Sequence, residues 1–221
     1  MGLYHSPRIV TDGLVLALDA ADANSYVSGS TIWYDLAGSN NGSLTNGVAY
    51  TGSNSGALVF DGSNDYVTTP SSNNWALGTN GAVSAWVYFT GFITTNHRLW
   101  CVNNNLFSLD VYLGGGGIIG LHGAQASTTS IFPMNQWVHI MTTYNNGNLA
   151  VYFNGVNQPL TGVTSSYNIT NSNSLFIGQY SGGGSYTWRG RISNLNIYKN
   201  KPFSPLEVLQ NYNATKTRFG L

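Results

Sequence analysis

The stretch 136–155, QWVHIMTTYNNGNLAVYFNG, constrains the fold more than any other part of the chain, because strand, turn and strand are all written out within it. Two apolar runs rich in β-branched and aromatic residues, 137–144 and 149–153, flank Asn145-Asn146-Gly147-Asn148, a segment whose residues tolerate positive φ. This spacing predicts a β-hairpin. Neither run alternates cleanly: Val138, Ile140 and Tyr144 fall on one side, Trp137 and Met141 on the other, so both faces of the pair should be covered. A hairpin covered on both faces implies a layered sandwich.

A sandwich of 221 residues fits within one large all-β unit. Hydrophobic residues reach 42%, enough for a substantial core, but charged residues are only 7%, against roughly 25% in ordinary soluble domains. The surface must therefore be wetted by Asn, Ser, Thr and Gly. The 27 glycines and repeated Asn-Gly and Gly-Ser steps point to tight turns, and 13% aromatic residues argue against a solvated coil. Eight basic residues balance eight acidic ones, which leaves no electrostatic footprint for nucleic acid or an anionic membrane. No apolar stretch approaches the roughly 20 residues of a membrane span. The N-terminus lacks the basic-then-apolar pattern of a secretory signal, so synthesis in a cytoplasm is expected. A lone cysteine, Cys101, excludes an intrachain disulfide and reads as a small buried hydrophobe.

Along the chain, 1–13 read as an arm and 14–20 as the first strand. Short strands are expected at 31–36 and 47–50, and 57–60 and 66–69 read as a hairpin about the Asp61-Gly62 step. The nearly continuous apolar run 82–89 marks a central strand. Segments 98–102, 106–113 and 118–122, separated by polar turns at 103–105 and 114–117, have the spacing of a meander. One short strand is expected over 156–161, a polar loop over 164–173, and a last strand pair, 174–180 with 186–198, about the glycine-rich turn 181–185. In that last strand Ile192, Asn194, Asn196 and Tyr198 alternate with Arg191, Ser193, Leu195 and Ile197. Only 204–212 carries helix signals: Ser204 as cap, Pro205 at the first position, and Leu206, Leu209 and Gln210 on one side. The tail 213–221 is basic at Lys216 and Arg218.

Taken together, Leu16–Asp19 with Trp33-Tyr34-Asp35-Leu36, Leu58-Val59-Phe60-Asp61-Gly62 with Asn64-Asp65-Tyr66-Val67, Trp137-Val138-His139, Asn154-Gly155, Phe176-Ile177-Gly178 and Gly190-Arg191-Ile192-Ser193 with the final helix resemble the laminin-G-like, concanavalin A-like jelly-roll superfamily. The resemblance runs from about residue 14 to the end. It implies an all-β fold, a two-sheet antiparallel jelly roll over 14–221 with one short C-terminal helix. The ending Gln210-Asn211-Tyr212-Asn213-Ala214 through Arg218-Phe219-Gly220-Leu221 is similar to that of modules encoded by tailed bacteriophages, most of them virion proteins.

Glycosidases occur in that superfamily, and they need two carboxyl groups at roughly 5 to 9.5 Å, one protonated and one ionised. This chain has one glutamate, Glu207, on the expected helix; Asp110 stands alone on a strand, and Asp19, Asp35, Asp61 and Asp65 fall at strand ends and turns, where hydrogen bonding to backbone is their ordinary work. Cys101 has no adjacent base and no Gly-x-Ser-x-Gly elbow occurs. His139 reads as a hydrogen-bonded structural group rather than a base or ligand, and His5, His97 and His122 are scattered. Many relatives bind calcium, and Asp61, Asn64 and Asp65 offer three oxygens from one turn, although a tight turn wants the same residues. For sugars the candidate platforms are Trp75, Trp100, Tyr180, Tyr186 and Trp188, near Asn- and Gly-rich segments; filling the core or a subunit interface is the more ordinary role of such rings. Asn-x-Ser/Thr matches at Asn41, Asn168 and Asn213 are expected by chance in so Asn-rich a chain.

The expectation is a non-enzymatic structural protein of a phage particle, a capsid decoration or tail or fibre component. It would be homo-oligomeric and held to other virion proteins through its arm or tail. The alternative is a carbohydrate-binding module that recognises host-surface glycans.

Overall fold

A computed structural model describes residues 7–102, 107–113, 117–122, 126–162, 167–170, 172–181 and 186–221. Residues 1–6 of the expected arm, with His5, and the expected turns and loop at 103–105, 114–116, 164–166, 171 and 182–185 lie outside these. The strands are β1 (Leu14–Asp19), β2 (Ile32–Trp33), β3 (Gly42–Thr45), β4 (Ala49–Thr51), β5 (Ala57–Asp61) and β6 (Tyr66–Ser71). There follow β7 (Gly81–Phe89), β8 (Asn96–Val102), β9 (Phe107–Tyr112), β10 (Ile118–His122), β11 (Ala126–Ile131) and β12 (Trp137–Asn145). Last come β13 (Asn148–Phe153), β14 (Val156–Gln158), β15 (Leu160–Thr161), β16 (Ser174–Ile177), β17 (Arg189–Lys199) and the helix α1 (Pro205–Thr215).

Among the described residues the strands form two antiparallel sheets. An eight-stranded sheet runs β14-β13-β12-β7-β17-β5-β4, with β1 also paired to β17, and a nine-stranded sheet runs β15-β11-β10-β9-β8-β16-β6-β3-β2. The hairpin closes as its sequence dictates: Asn145 pairs with Asn148 across Asn146 and Gly147, both at positive φ (50° and 77°) as a two-residue turn of matching twist demands. Strand β7 lies between β12 and β17 and is buried along most of its length, the central strand that its apolar run predicts. Val138, Ile140 and Tyr144 enter the core between the sheets, while Trp137 and Met141 join two smaller clusters on the outer side of the eight-stranded sheet.

Four expectations about pairing are corrected. Strands β5 and β6 do not form a hairpin: β5 pairs with β17 and β4, and β6 with β16 and β3 in the other sheet. The Asp61–Asp65 link is a corner between sheets, held where the Asp65 carboxylate accepts the Asp61 N–H (3.0 Å) and the Asp61 carboxylate accepts the Ser63 N–H (2.7 Å). Likewise β16 and β17 belong to different sheets; the expected pairing survives only next to them, at the bridge Gln179–Thr187 and where the Tyr186 carbonyl accepts the Tyr180 N–H (3.2 Å) and the Gly178 carbonyl accepts the Trp188 N–H (2.7 Å), among the described residues. The single strand expected over 156–161 divides at Pro159 into β14 and β15, one in each sheet, because proline cannot donate to a ladder. Finally, a bulge between Ile192 and Asn194 shifts the phase of β17, so Ile192, Leu195 and Ile197 all face the core.

The eight-stranded sheet has a cover on its outer side. Ser204 accepts the Glu207 N–H and Glu207 accepts the Ser204 N–H, a capping box that starts α1 with Pro205 in its first turn. The helix presents Val208 and Asn211 inward, while Leu206 and Leu209 are exposed, the reverse of the face expected from their spacing. The tail expected to reach a partner folds back instead: Phe219 stacks on Trp86 (4.1 Å between centroids) and Arg218 forks onto both carboxylate oxygens of Asp19. Two bonds between helix side chains and the arm's backbone, Gln210 Nε2 to the Arg8 carbonyl and Val10 N–H to Asn211 Oδ1, dock the described part of the arm on the same helix.

Candidate functional site

Directly opposed residues in a sheet share a face, so the registers identify the outer side of the nine-stranded sheet. One row there reads Ser43, Thr68, Phe176, Cys101, Ser108 and His122; the next contains Arg98, Asp110, Gly120 and Ser127. Tyr66 lies two residues from Thr68 on the same strand face, and its ring meets that of Phe176 at 5.8 Å. A third row sets Tyr112 beside Ile118 and Ile131, with Tyr112 41% and Ile131 61% exposed. The segment after β16 lies over the middle of this face: Tyr180 sits above the Arg98 guanidinium (5.5 Å), Ser181 Oγ reaches Cys101 Sγ (3.5 Å), and Tyr186 meets Tyr180 edge-on (5.9 Å).

Beneath Tyr180, Arg98 and Asp110 form a buried ion pair at 3.7 Å, and Arg98 also donates to Ser108. Arg98 thus serves as a platform for the Tyr180 ring, which draws cation–π attraction from it. Tyr66, Phe176 and Tyr180 are half-buried and Tyr186 is exposed. The face offers aromatic surface, hydroxyls and backbone groups, a set suited to stacking on and hydrogen bonding to an uncharged polar ligand.

The candidate sugar platforms separate sharply. Tyr180 and Tyr186 stand on this face, whereas Trp75, Trp100 and Trp188 are fully buried in the central core and present no ring surface to a ligand. Their positions beside Asn and Gly misled because neighbouring loop composition does not report which way a ring turns. Tyr66 and Phe176 were missed; period-two alternation in 66–69 and 174–177, joined to the pairing of β6 with β16, is the signal that finds them.

The acidic turn is occupied with its own backbone. Asp65 is buried, desolvation raises its pKa, and the Asn64 carbonyl accepts from Asn46 Nδ2. No group of three or more His, Cys, Asp or Glu side chains able to hold a metal occurs among the described residues. Asp35 accepts N–H bonds from Ala17, Ala37 and Asn40, and Glu207 is engaged by the helix cap and by Lys201 at 2.6 Å. His97 is structural, its Nε2 accepting the Ile93 N–H (3.1 Å) and its Nδ1 facing the Thr187 carbonyl.

His139 lies on the other outer face, beneath α1, with its ring against Trp86 (5.3 Å). Burial lowers its pKa to about 3, so it is neutral near pH 7, and its Nδ1 has no hydrogen-bond partner among the described residues, unlike the bonded histidine expected there. It borders a cavity of about 90 Å³ with Ser84, Asn194, Asn196, Asn211 and Thr215, too small for a sugar ring but large enough for a few water molecules.

The family model for the concanavalin A-like lectin/glucanases superfamily, of the laminin-G type, matches residues 61–209, more than half of the chain. The chain belongs to that superfamily. No curated protein is similar enough in sequence to count as a relative. Among solved structures it is similar to Trypanosoma rangeli sialidase (TM-score 0.71, 15% identity, 95% of this chain and 34% of the sialidase). It is also similar to domain 4 of AbnA, a GH43 extracellular arabinanase from Geobacillus stearothermophilus, solved with arabinotriose (TM-score 0.67, 19% identity, 90% of this chain and 98% of the domain). A third is the binding domain of botulinum neurotoxin serotype D (TM-score 0.66, 17% identity, 91% of this chain and 51% of that one). The chain spans about a third of the sialidase chain, and at these identities the likeness is one of fold.

Proposed function

We propose that this lectin-like jelly roll is a non-enzymatic carbohydrate-binding module whose ligand surface is the outer side of the nine-stranded sheet. The observation that carries the reading is the cluster Tyr66, Phe176, Tyr180 and Tyr186, gathered from β6, β16 and the segment after it, on the outer face that the C-terminal segment leaves uncovered. The arabinanase domain of the same architecture, solved with arabinotriose, supports it. Glycan-array binding that weakens in Tyr66→Ala and Tyr186→Ala while the melting temperature stays within a few degrees is the expected result. A blank array for the wild-type chain contradicts the proposal.

A second reading concerns setting: the module is a component of a phage virion, homo-oligomeric and packed against other virion proteins. It is favoured by the charge-poor surface and by the docking of Arg8 and Val10 against α1, on the side away from the aromatic face, where attachment through the arm would leave that face free. Mass spectrometry of purified particles and light scattering after size exclusion test it. Absence from the particle, or a monomer at all concentrations, overturns it.

A further inference from the structure

From Tyr66 through Trp188 the sequence contains only two Asp, Glu, Lys or Arg residues, Arg98 and Asp110, and β2, β3 and the remaining strands of the nine-stranded sheet add none. Those two pair with each other and are almost wholly buried under Tyr180. Among the described residues the aromatic face therefore carries no exposed formal charge, and the sequence of 103–106, 114–116, 123–125, 163–166, 171 and 182–185 contains no Asp, Glu, Lys or Arg. His97 of this sheet turns inward and is held neutral mainly by desolvation, and His122 at the end of β10 is the other histidine on it.

Resting on the carbohydrate-binding reading, we propose that this face selects neutral saccharides and discriminates against sialylated, sulfated and uronic acid glycans. A carboxylate or sulfate brought onto it loses hydration and meets no cation in return, because the one guanidinium near the surface is already neutralised by Asp110 and shielded by a ring. A neutral pyranose or furanose loses little on transfer and gains ring stacking from Tyr66, Phe176 and Tyr186 with hydroxyl bonds to the Ser and Thr rows. The ion pair thereby provides a rigid polar floor for Tyr180 without giving the face a sign.

The test compares matched probes, lactose with 3′-sialyllactose and digalactose with digalacturonate, by titration at pH 7.5 in low and high salt, after an array of neutral and acidic glycans. Expected are array hits confined to neutral glycans, preference for the neutral member of any pair bound, affinity changed by less than about twofold between the two salts because no exposed charge is there to screen, and a roughly 3- to 10-fold loss in Tyr186→Ala. Binding confined to acidic glycans, or weakening steeply with salt, overturns the selectivity while leaving the carbohydrate-binding reading standing. An array blank for every glycan overturns both.

Discussion

The two outer faces of the sandwich are made from similar residues and finished differently. Outside the eight-stranded sheet, Trp86, Trp137 and His139 are sealed by Tyr212 and Phe219, and the Arg218–Asp19 fork fastens the last turn down. Outside the nine-stranded sheet, Tyr66, Phe176 and Tyr186 keep ring surface in contact with solvent, and Tyr180 and Ser181 cover Arg98 and Cys101 instead of these rings. A ring covered by its own chain contributes to stability, whereas an uncovered ring contributes little to folding and is available for binding. Substitutions of the covered rings should therefore act on stability, and those of the uncovered rings on ligand.

The largest expected effect tests the buried floor of the binding face. Arg98→Met alone should cost about 3–5 kcal/mol, because Asp110 is left buried and uncompensated, while the Arg98→Met/Asp110→Leu double variant should lie much closer to wild type. Urea denaturation of the three proteins gives the comparison, and equal losses in single and double variants would remove the pair from the account. Next comes the seal: Phe219→Ala should cost about 3 kcal/mol by vacating the contact with Trp86 and Trp137, against less than about 0.5 kcal/mol for Tyr186→Ala. Similar losses in these two variants would erase the distinction between the faces.

Acid should act on the covered face. His139 titrates in the unfolded chain near 6.5 and in the folded protein near 3, so the unfolded state takes up the proton first and stability falls as pH drops through that window. The slope should reach about 1.4 kcal/mol per pH unit for this group, with His97 acting in the same sense. His139→Phe should flatten it; a slope unchanged in that variant assigns acid sensitivity elsewhere. The smallest effect is local: Ser204→Ala removes the cap of α1 and should cost about 1 kcal/mol in thermal denaturation, without touching the aromatic face.

How far the sequence reveals this division follows from the range of the forces involved. The Asn146-Gly147 turn, the apolar run of β7 and the Ser204–Glu207 box are local, and each is legible in a few residues. Sheet membership is not local. Nothing between Asp61 and Asp65 says that the chain turns a corner instead of a hairpin; the choice is made by β16 and β17, more than a hundred residues away, which claim β6 and β5 for opposite sheets. The same distance hid the binding face, since Tyr66 and Phe176 meet only once their strands pair, and it misdirected attention to Trp75 and Trp188, whose polar neighbours conceal that they fill the core.

The most direct test of the central claim is a titration of the isotope-labelled protein with the neutral glycan ranked first on the array, followed by amide chemical shifts. Perturbations gathered on β6, β8, β16 and residues 178–181 and 186–188, with α1 and β12 unmoved, are the predicted result. Shifts centred on α1, β12 and the His139 cavity would contradict it.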